Sequence, residues 1–326
     1  MGIWSKCVVG LEMDSKEIRA VEIKGSVKKP EIVSWGKLDL KEGIVRDGRV
    51  ADAAALSAAL DTLWRENSFK SKNVVFGINN QDVIIRFASF PKVPEDRVRN
   101  MIMFQAQDYI PVPLEELQLD YIVVGEKKTD DGEFLQVILV GARKKTLHEF
   151  IEAFQRAKLN VSEIDSGLLA IGRAAMCDAK ENAYAVVGFN YDMANILIFS
   201  GSILTVARSI SYSQSSLWTN RQVNEDSVNH DAEESIIADI LISELKSSVG
   251  YYKMQSTETV EGIYMVNQLK SKSIPEKINE AAGYEVKTPD PYKSMEEHAR
   301  SKHLQTFSTK DYIVPISLGL RGLGGK

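Results

Sequence analysis

Apolar and polar positions follow one plan at two distant places in the chain. Residues 8–23 hold two apolar strand segments on either side of a polar tip at 12–17. Residues 183–199 repeat this plan around a polar tip at 190–192, and a further strand candidate follows each unit. Such alternation around a polar turn is typical of a β-hairpin. The two similar hairpins predict two related domains that face each other across a cleft.

The segments after the first hairpin alternate between helix and strand. A link rich in turn residues, 40–50, leads to residues 52–67, where alanine and leucine recur at helical spacing. Residues 74–78 form a short, continuously apolar run, which is typical of a strand covered on both faces. This alternation predicts an α/β fold.

The pattern changes between about residues 81 and 160. A strand is followed by a helix that begins after Pro94 and stops before Pro111, because proline favours the first helical turn and disrupts the interior. Two more strands and a second helix complete the block. We interpret it as a small α+β insert within a first domain that spans residues 1–182.

The second hairpin opens a second domain, for which we predict the bounds 183–305. This domain contains an amphipathic helix at 233–252. The polar stretch 211–232 before that helix lacks periodicity and predicts a loop. The closing segment, 306–326, is expected to return to the first domain.

Composition and charge limit the classes to which this protein can belong. The chain has 326 residues, of which 44% are hydrophobic and 26% are charged, and its formal net charge of −5 argues against nucleic acid as the main partner. No apolar run approaches the roughly 18 to 20 residues that cross a bilayer, and the first residues lack the apolar core of a signal peptide. The expected compartment is the cytoplasm. The four histidines show no ligand spacing, so no metal site is predicted.

The most specific stretch of the chain is 103–121, MFQAQDYIPVPLEELQLDY. It resembles the segment EAQ-x-YIP-x-PL followed by LDY in the PilM family of type IV pilus assembly proteins. Residues 40–48, 140–144, 162–169 and 316–322 resemble further segments of that family. The order of elements is similar to that of the actin, hexokinase and Hsp70 ATPase superfamily. The resemblance therefore implies an actin-like (ribonuclease H-like) two-domain α/β fold.

The same resemblance implies a nucleotide site at the two hairpins, and the sequence departs from it at both. The first hairpin of the superfamily has a glycine close to the phosphates, whereas the stretch Glu12 to Ser15 places Asp14 there. A carboxylate at this point adds a side chain and repels a triphosphate. The second hairpin usually supplies an aspartate near Mg²⁺ and a glycine, and here Gly188 and Asn190 occupy those positions.

Two further observations bear on the nucleotide. Asp192 lies near the missing carboxylate in sequence, and we interpret it as a turn residue. The adenosine motif of the superfamily has paired glycines, and residues 263–268 contain none. We therefore expect no cofactor, neither ATP nor Mg²⁺, at these degenerate positions.

The resemblance also implies a partner. Members of the family bind the short cytoplasmic N-terminal peptide of a PilN-like inner-membrane protein, in a groove between the main body of the first domain and its insert. The positions implied to lie near this peptide are Arg86, Gln105, Tyr109, Ile110, Pro111, Asp120 and Tyr121. An alternative role for Tyr109 and Ile110 is to hold the end of the insert's helix against its sheet.

These expectations describe a non-catalytic scaffold that links a PilN-like protein to motor or platform components of the pilus. It would lie at the inner face of the cytoplasmic membrane, attached through its partners. Two alternatives stay open. One is a divergent PilM-type ATPase that binds ATP and Mg²⁺ despite Asp14 and Asn190. The other is a GspL-like scaffold of type II secretion.

Overall fold

The computed structural model describes residues 6–211, 230–268, 270–298 and 307–324. In this part of the chain, two five-stranded sheets form the centres of the two domains, and a three-stranded sheet forms the insert. Most of the stretch predicted as a loop, residues 212–229, lies outside the described residues.

The elements of the first domain alternate as the sequence predicts. The chain begins with β1 (Lys6–Met13), β2 (Glu17–Ser26), β3 (Lys29–Asp39), β4 (Val45–Arg46), β5 (Arg49–Val50), α1 (Ala53–Glu66) and β6 (Asn73–Ile78). The insert contains β7 (Val83–Pro91), α2 (Glu95–Gln105), β8 (Leu117–Thr129) and β9 (Gly132–Arg143). The main body, by which we mean the first domain without its insert, resumes with α3 (Lys144–Arg156), β10 (Asn160–Ser166) and α4 (Gly167–Met176).

The second domain follows directly. It consists of β11 (Ala183–Phe189), β12 (Met193–Ser200), β13 (Ile203–Ser211), α5 (His230–Gln255), β14 (Gly262–Asn267), α6 (Ser273–Ala282) and β15 (Val286–Lys287). The last helix is α7 (Ile313–Gly322).

The two large sheets are built on one plan. The strand order of the first is β10-β6-β1-β2-β3, and that of the second is β15-β14-β11-β12-β13. In both, the first strand of the hairpin pairs antiparallel with its neighbour and parallel with a later strand. The similarity of the two hairpins in the sequence therefore reflects a repeat of the whole sheet.

The final helix packs on the first domain. α7 lies against β1, β2 and β6, and its apolar side chains are buried in the core. The approach is close at Gly10, where an added Cβ would lie 1.9 Å from the carbonyl oxygen of Pro315. A side chain at this position of β1 would push α7 off the sheet.

The boundary of the insert differs from our expectation. We expected the helix after the last two strands of the insert, which is now α3, to close the insert within residues 81–160. Instead, α3 packs on the main body, where Phe150 and Phe154 lie against Phe76 with ring centroids 4.7 and 5.3 Å apart. The apolar stripe of a helix does not identify the sheet that will cover it. The insert proper therefore ends with β9.

The insert sheet has two different faces. α2 covers one face, where Val98 and Ile102 are buried beside Phe90. The strand pairing places Phe87, Ile138 and Ile122 in one row across the opposite face. In that row Ile138 is buried, whereas Phe87 and Ile122 are 40% and 45% exposed. The second face is thus apolar and only partly covered.

Candidate functional site

The tips of the two hairpins touch each other, and we call this contact the hairpin junction. The backbone amide of Ser15 donates a hydrogen bond of 2.8 Å to Oδ2 of Asp192. In return, the amide of Tyr191 donates one of 3.2 Å to Oδ2 of Asp14. Each tip thus supplies one carboxylate oxygen to one amide of the other. The two domains are joined at the point where the hairpins of this fold class face each other.

Each tip is also bonded within itself. Oδ1 of Asp14 accepts hydrogen bonds from the amides of Lys16 and Glu17, at 2.8 and 3.0 Å. Oδ1 of Asn190 accepts hydrogen bonds from the amides two and three residues further along the chain, at 3.0 and 2.9 Å. Asp and Asn side chains stabilise turns in this way. The carboxylate of Asp14 therefore receives three backbone amides, which is the role of an anion at such a loop.

A third strand end completes the junction. Nε2 of Gln268, just after β14, donates a 2.6 Å hydrogen bond to Oε1 of Glu12. The guanidinium of Arg19 donates a 2.7 Å hydrogen bond to the carbonyl oxygen of Gln268 and also pairs with Glu17. Residues 263–268, which stand in place of the adenosine motif, are therefore bonded to the first hairpin.

The junction leaves little open space between the hairpin tips. The remaining cavity measures about 10 Å³, about the size of one water and far below the several hundred Å³ of a typical ligand site. Gly188 packs against Ile171, and a side chain at this position would displace Cδ1 of Ile171, which lies 2.5 Å from an added Cβ. The amides that would face phosphate oxygens already donate to the carboxylates of Asp14 and Asp192.

Burial dominates the electrostatics of the junction. It raises the pKa of Glu12 from 4.5 to about 7, although Arg19 and Gln268 act in the opposite direction. It raises the pKa of Asp192 from 3.8 to about 6, and it also raises that of Asp14 against the effect of its three amide donors. Burial opposes the charged form of each group. The junction therefore holds protons more tightly than the same carboxyls in water.

A second feature is a cavity of about 580 Å³ between the insert and the main body, which we call the groove. It lies on the face of the insert sheet opposite α2 and is bounded by the first half of α3 and the end of β10. Its lining consists of Ile78, Val83, Gln118, Asp120, Val140, Ala142, Lys144, Leu147, His148, Ile151, Ile164, Asp165 and Ser166.

The groove combines an apolar floor with a polar rim. Its volume falls within the range of about 300 to 1,000 Å³ that is usual for ligand sites. On the rim, Gln118, Asp120 and His148 are exposed. Deeper in the groove, the buried carboxylate of Asp165 is bonded to the guanidinium of Arg173 at 2.5 Å. The arrangement suits the apolar side chains of a short peptide, with exposed polar groups at the rim.

One buried carboxylate fixes the insert to the main body. Asp82 lies where the chain enters the insert, and the guanidinium of Arg49 binds its two oxygens at 2.7 and 2.8 Å. Oγ1 of Thr146, just after the chain leaves the insert, donates a further 2.6 Å hydrogen bond. Burial alone would raise the pKa of Asp82, but the bonds from Arg49 and Thr146 lower it. Both ends of the insert therefore meet at Asp82, which connects them to Arg49 of the main body.

Comparison with known proteins gives the family. A sequence model of the family described as "Type IV pilus assembly protein PilM" matches residues 10–234. The chain belongs to the PilM family. A chain of a solved structure described as the PilM-PilN type IV pilus biogenesis complex is similar over 97% of this chain and 98% of that chain, with 21% identity and a TM-score of 0.77.

A more distant structure shares the architecture. The ethanolamine utilization protein EutJ from Carboxydothermus hydrogenoformans is similar over 97% of this chain and 89% of that chain, with 12% identity and a TM-score of 0.52. Both matches extend over almost the whole chain, and the two large sheets share one plan. The predicted actin-like two-domain α/β fold of a PilM-type chain is confirmed.

Two features are absent from the described residues. Within the segments 6–211, 230–268, 270–298 and 307–324, no helix has both the length and the apolar character that a membrane span requires. The same part of the chain contains no group of three or more His, Cys, Asp or Glu side chains placed to hold a metal ion.

The seven residues that the PilM resemblance placed near a partner are not brought together. Asp120 lines the groove. Arg86 and Tyr121 belong to the opposite face of the insert sheet, because both pair with Leu139 of the insert core. Gln105 is the last residue of α2, the helix that covers that face, and Pro111 lies in the segment after this helix.

The two remaining members of this set hold the end of α2. Ile110 is buried in the insert core, and the ring of Tyr109 lies edge-on to Phe90 with centroids 5.2 Å apart. The hydroxyl of Tyr109 donates a 3.1 Å hydrogen bond to the carbonyl oxygen of Ser89. Their contacts match the alternative role, in which they pin the helix to the sheet.

Sequence reasoning missed residues in both places. Leu147 and Ile151 of α3 line the groove, and their signal was a second apolar stripe beside the core positions Phe150 and Phe154. Asp192 forms a turn, as interpreted, but it also bonds to Ser15 across the junction. No sequence signal could give that contact, because the two residues lie in different domains and meet only through the docking of those domains.

Proposed function

We propose that this member of the PilM family is a non-catalytic scaffold of the type IV pilus assembly machinery, which captures the N-terminal peptide of a PilN-like membrane protein in its groove. Two observations support the partner: the family match over residues 10–234, and the similarity to a chain of a PilM-PilN complex. The family match also favours pilus assembly over type II secretion. By this proposal the protein lies in the cytoplasm, at the inner face of the membrane, and links its partner to motor or platform components.

The observation that supports a non-catalytic role is the pair of reciprocal hydrogen bonds between the two tips of the hairpin junction. An actin-like ATPase needs free amides for the phosphates and a carboxylate for the waters around Mg²⁺. Here the amides of Ser15 and Tyr191 are occupied by Asp192 and Asp14, and Gly188 is packed against Ile171. Partner binding is therefore independent of ATP and Mg²⁺.

The groove supports a peptide rather than a small charged substrate. Its floor is lined by aliphatic side chains from β6, β9, β10 and α3, and its buried Asp165 is already neutralised by Arg173. The rim groups Asp120 and Lys144 can orient a peptide backbone or its charged end without being desolvated. Peptides that dock through apolar anchors in pockets with a polar rim use this division of roles.

The footprint of the peptide extends beyond the groove. Asp120 and Val140 line it and face each other across β8 and β9. The next row on the same face contains the half-exposed Phe87 and Ile122. Partly exposed aromatic and β-branched side chains beside a pocket mark a binding surface. The peptide therefore leaves the groove along this face of the insert.

Titration calorimetry with a synthetic N-terminal peptide of the PilN homologue, with and without Mg·ATP, tests the proposal. We expect the same affinity in both conditions and no heat from Mg·ATP alone. Leu147→Glu, inside the groove, should abolish binding. Gln155→Glu, on the exposed side of the same helix, should leave it unchanged.

Two results would contradict the proposal. Micromolar binding of Mg·ATP would restore the ATPase alternative. Equal affinity of the Leu147→Glu and Gln155→Glu variants would remove the groove as the peptide site.

A further inference from the structure

One end of the first domain carries a concentration of lysines. They lie in the strand ends and turns farthest from the hairpin junction: at the start of β1, in the turn between β2 and β3, before β6 and before β10. We call these residues the lysine-rich end; they are Lys6, Lys24, Lys28, Lys29, Lys70, Lys72 and Lys158.

The register of the sheet brings these positions together. Lys6 pairs with Gly25 at the end of β2, and Lys24 pairs with Glu31 of β3. The carbonyl oxygen of Lys72 accepts a 2.8 Å hydrogen bond from the amide of Asn160, which places the start of β10 beside the start of β6. Five neighbouring strands about 4.8 Å apart extend over roughly 20 Å. The lysine-rich end is therefore a single surface.

The charge of this surface is only partly offset by its neighbours. All seven lysines are exposed, and none forms an ion pair with another residue in the described segments of the chain. Three carboxylates lie nearby. Glu22 is buried and bonded to the amides of Lys70 and Ser71, while Glu31 and Glu66 are at least partly exposed. The local excess of positive charge contrasts with the net charge of −5 of the whole chain.

We propose that the lysine-rich end is a docking surface for a membrane leaflet that contains acidic lipid headgroups. Lysine is a mobile, strongly hydrated point charge that suits diffuse headgroups, whereas ordered phosphates are usually read by arginine. Among the described residues, the aromatic side chains at this end, Trp64 and Phe69, are buried, so this part of the chain offers no stacking platform for the bases of a single-stranded nucleic acid. Each lysine close to an acidic leaflet raises affinity roughly fivefold.

The position of this surface complements the proposed peptide site, and this step alone rests on the proposed function. α3 leads from the groove, at Leu147, to Lys158 beside the lysine-rich end. A helix of this length extends about 20 Å, a distance that roughly six extended residues can bridge. A peptide held in the groove could therefore reach a membrane that contacts the lysine-rich end. The contact orients the scaffold and, being electrostatic, weakens as salt rises.

Co-sedimentation of the full-length protein with vesicles tests the surface without any partner peptide. One set of vesicles contains phosphatidylcholine with phosphatidylglycerol, and the other contains phosphatidylcholine alone. At about 50 mM NaCl we expect binding to the acidic vesicles only, with most of it lost at about 300 mM because the screening length shortens.

Two matched variants locate the surface. Neutralising Lys28, Lys29, Lys70 and Lys72 to glutamine should lower binding more than tenfold, since several lysines act together. Neutralising four exposed lysines elsewhere, Lys41, Lys246, Lys253 and Lys272, should lower it far less.

Three results would overturn the inference: equal losses in the two variants, equal binding to neutral vesicles, or displacement of the protein from acidic vesicles by duplex DNA at equal phosphate concentration. Peptide calorimetry in solution is independent of these outcomes, so failure of the membrane surface and failure of the peptide site are distinguishable.

Discussion

The amide of Ser15 donates a 2.8 Å hydrogen bond to the carboxylate of Asp192, which lies 177 residues further along the chain. The reciprocal bond from the amide of Tyr191 to Asp14 spans the same separation in sequence. Together these bonds join the two domains through groups that the chain itself supplies.

Removal of the Asp192 side chain tests this role. Asp192→Ala leaves the amide of Ser15 without its acceptor in a buried site, which costs roughly 1 to 3 kcal/mol. Asp192→Asn keeps an acceptor oxygen and removes the buried charge, so its stability should equal or exceed that of the natural protein at pH 8. Urea denaturation measures both, and faster hydrogen exchange at Ser15 should accompany the alanine variant only. If the two variants unfold alike, the cross-hairpin bond does not stabilise the protein.

The junction should also make stability depend on pH. Burial raises the pKa of Glu12 to about 7 and that of Asp192 to about 6, from 4.5 and 3.8. The folded protein therefore binds protons more tightly than the unfolded chain, and lowering the pH from about 8 to about 5.5 should increase the free energy of unfolding. Below about pH 4 the trend should reverse, because Glu181, whose pKa is lowered to about 2, then loses its ion pair with Lys287.

Thermal denaturation across this pH range provides the measurement. The Glu12→Gln variant should show a flatter rise between pH 8 and pH 5.5, because its amide cannot take up a proton. Glu115→Gln, at an exposed position on the surface of the insert, serves as the control and should keep the full slope. A natural protein that is most stable at pH 8 would show that these carboxyls are not desolvated as described.

The bonds that Asp82 forms with Arg49 and Thr146, which we call the clamp, should control partner affinity from outside the groove. Asp82→Asn weakens the charged bonds with Arg49 and Thr146, which are worth roughly 1.5 to 3 kcal/mol for a charged pair. We expect about a tenfold loss of peptide affinity in calorimetry, because the insert no longer has one fixed angle to the main body. Asp130→Asn, in the exposed turn between β8 and β9, should have no effect. Unchanged affinity in the Asp82 variant would show that the groove does not depend on the clamp.

The two faces of the insert should respond differently to loss of an exposed aromatic side chain. Phe87 is 40% exposed on the face that continues from the groove, and Phe104 is 85% exposed on α2, on the other side. Phe87→Ser should weaken peptide binding by about an order of magnitude, as the loss of an apolar anchor does. Phe104→Ser should leave affinity unchanged although it removes the more exposed side chain. The reverse result would place the peptide beside Tyr109 and Pro111, on the face implied by the sequence resemblance.

Local patterns explain why so much of the fold could be predicted. Apolar segments on either side of a polar tip marked the hairpins of both domains, and the 3.6-residue period marked α1 and the helix after the insert. These patterns report which side of an element is buried but not what covers it. For that reason the helix with Phe150 and Phe154 was predicted in position and type, whereas its packing against Phe76 of the main body was not.

The sequence by itself determined that carboxylate and amide side chains stand where phosphate-binding glycines are expected, since Asp14 and Asn190 are read directly from the chain. Only the tertiary structure decided what they do instead. Asp14 meets Tyr191, and Ser15 meets Asp192, because two separately folded sheets bring their hairpin tips together. The groove arose in the same way, between Asp120 of the insert and Leu147 of the main body, and the bonds at Asp82 connect these two parts. Contacts between elements distant in sequence depend on docking geometry, and no local period encodes that geometry.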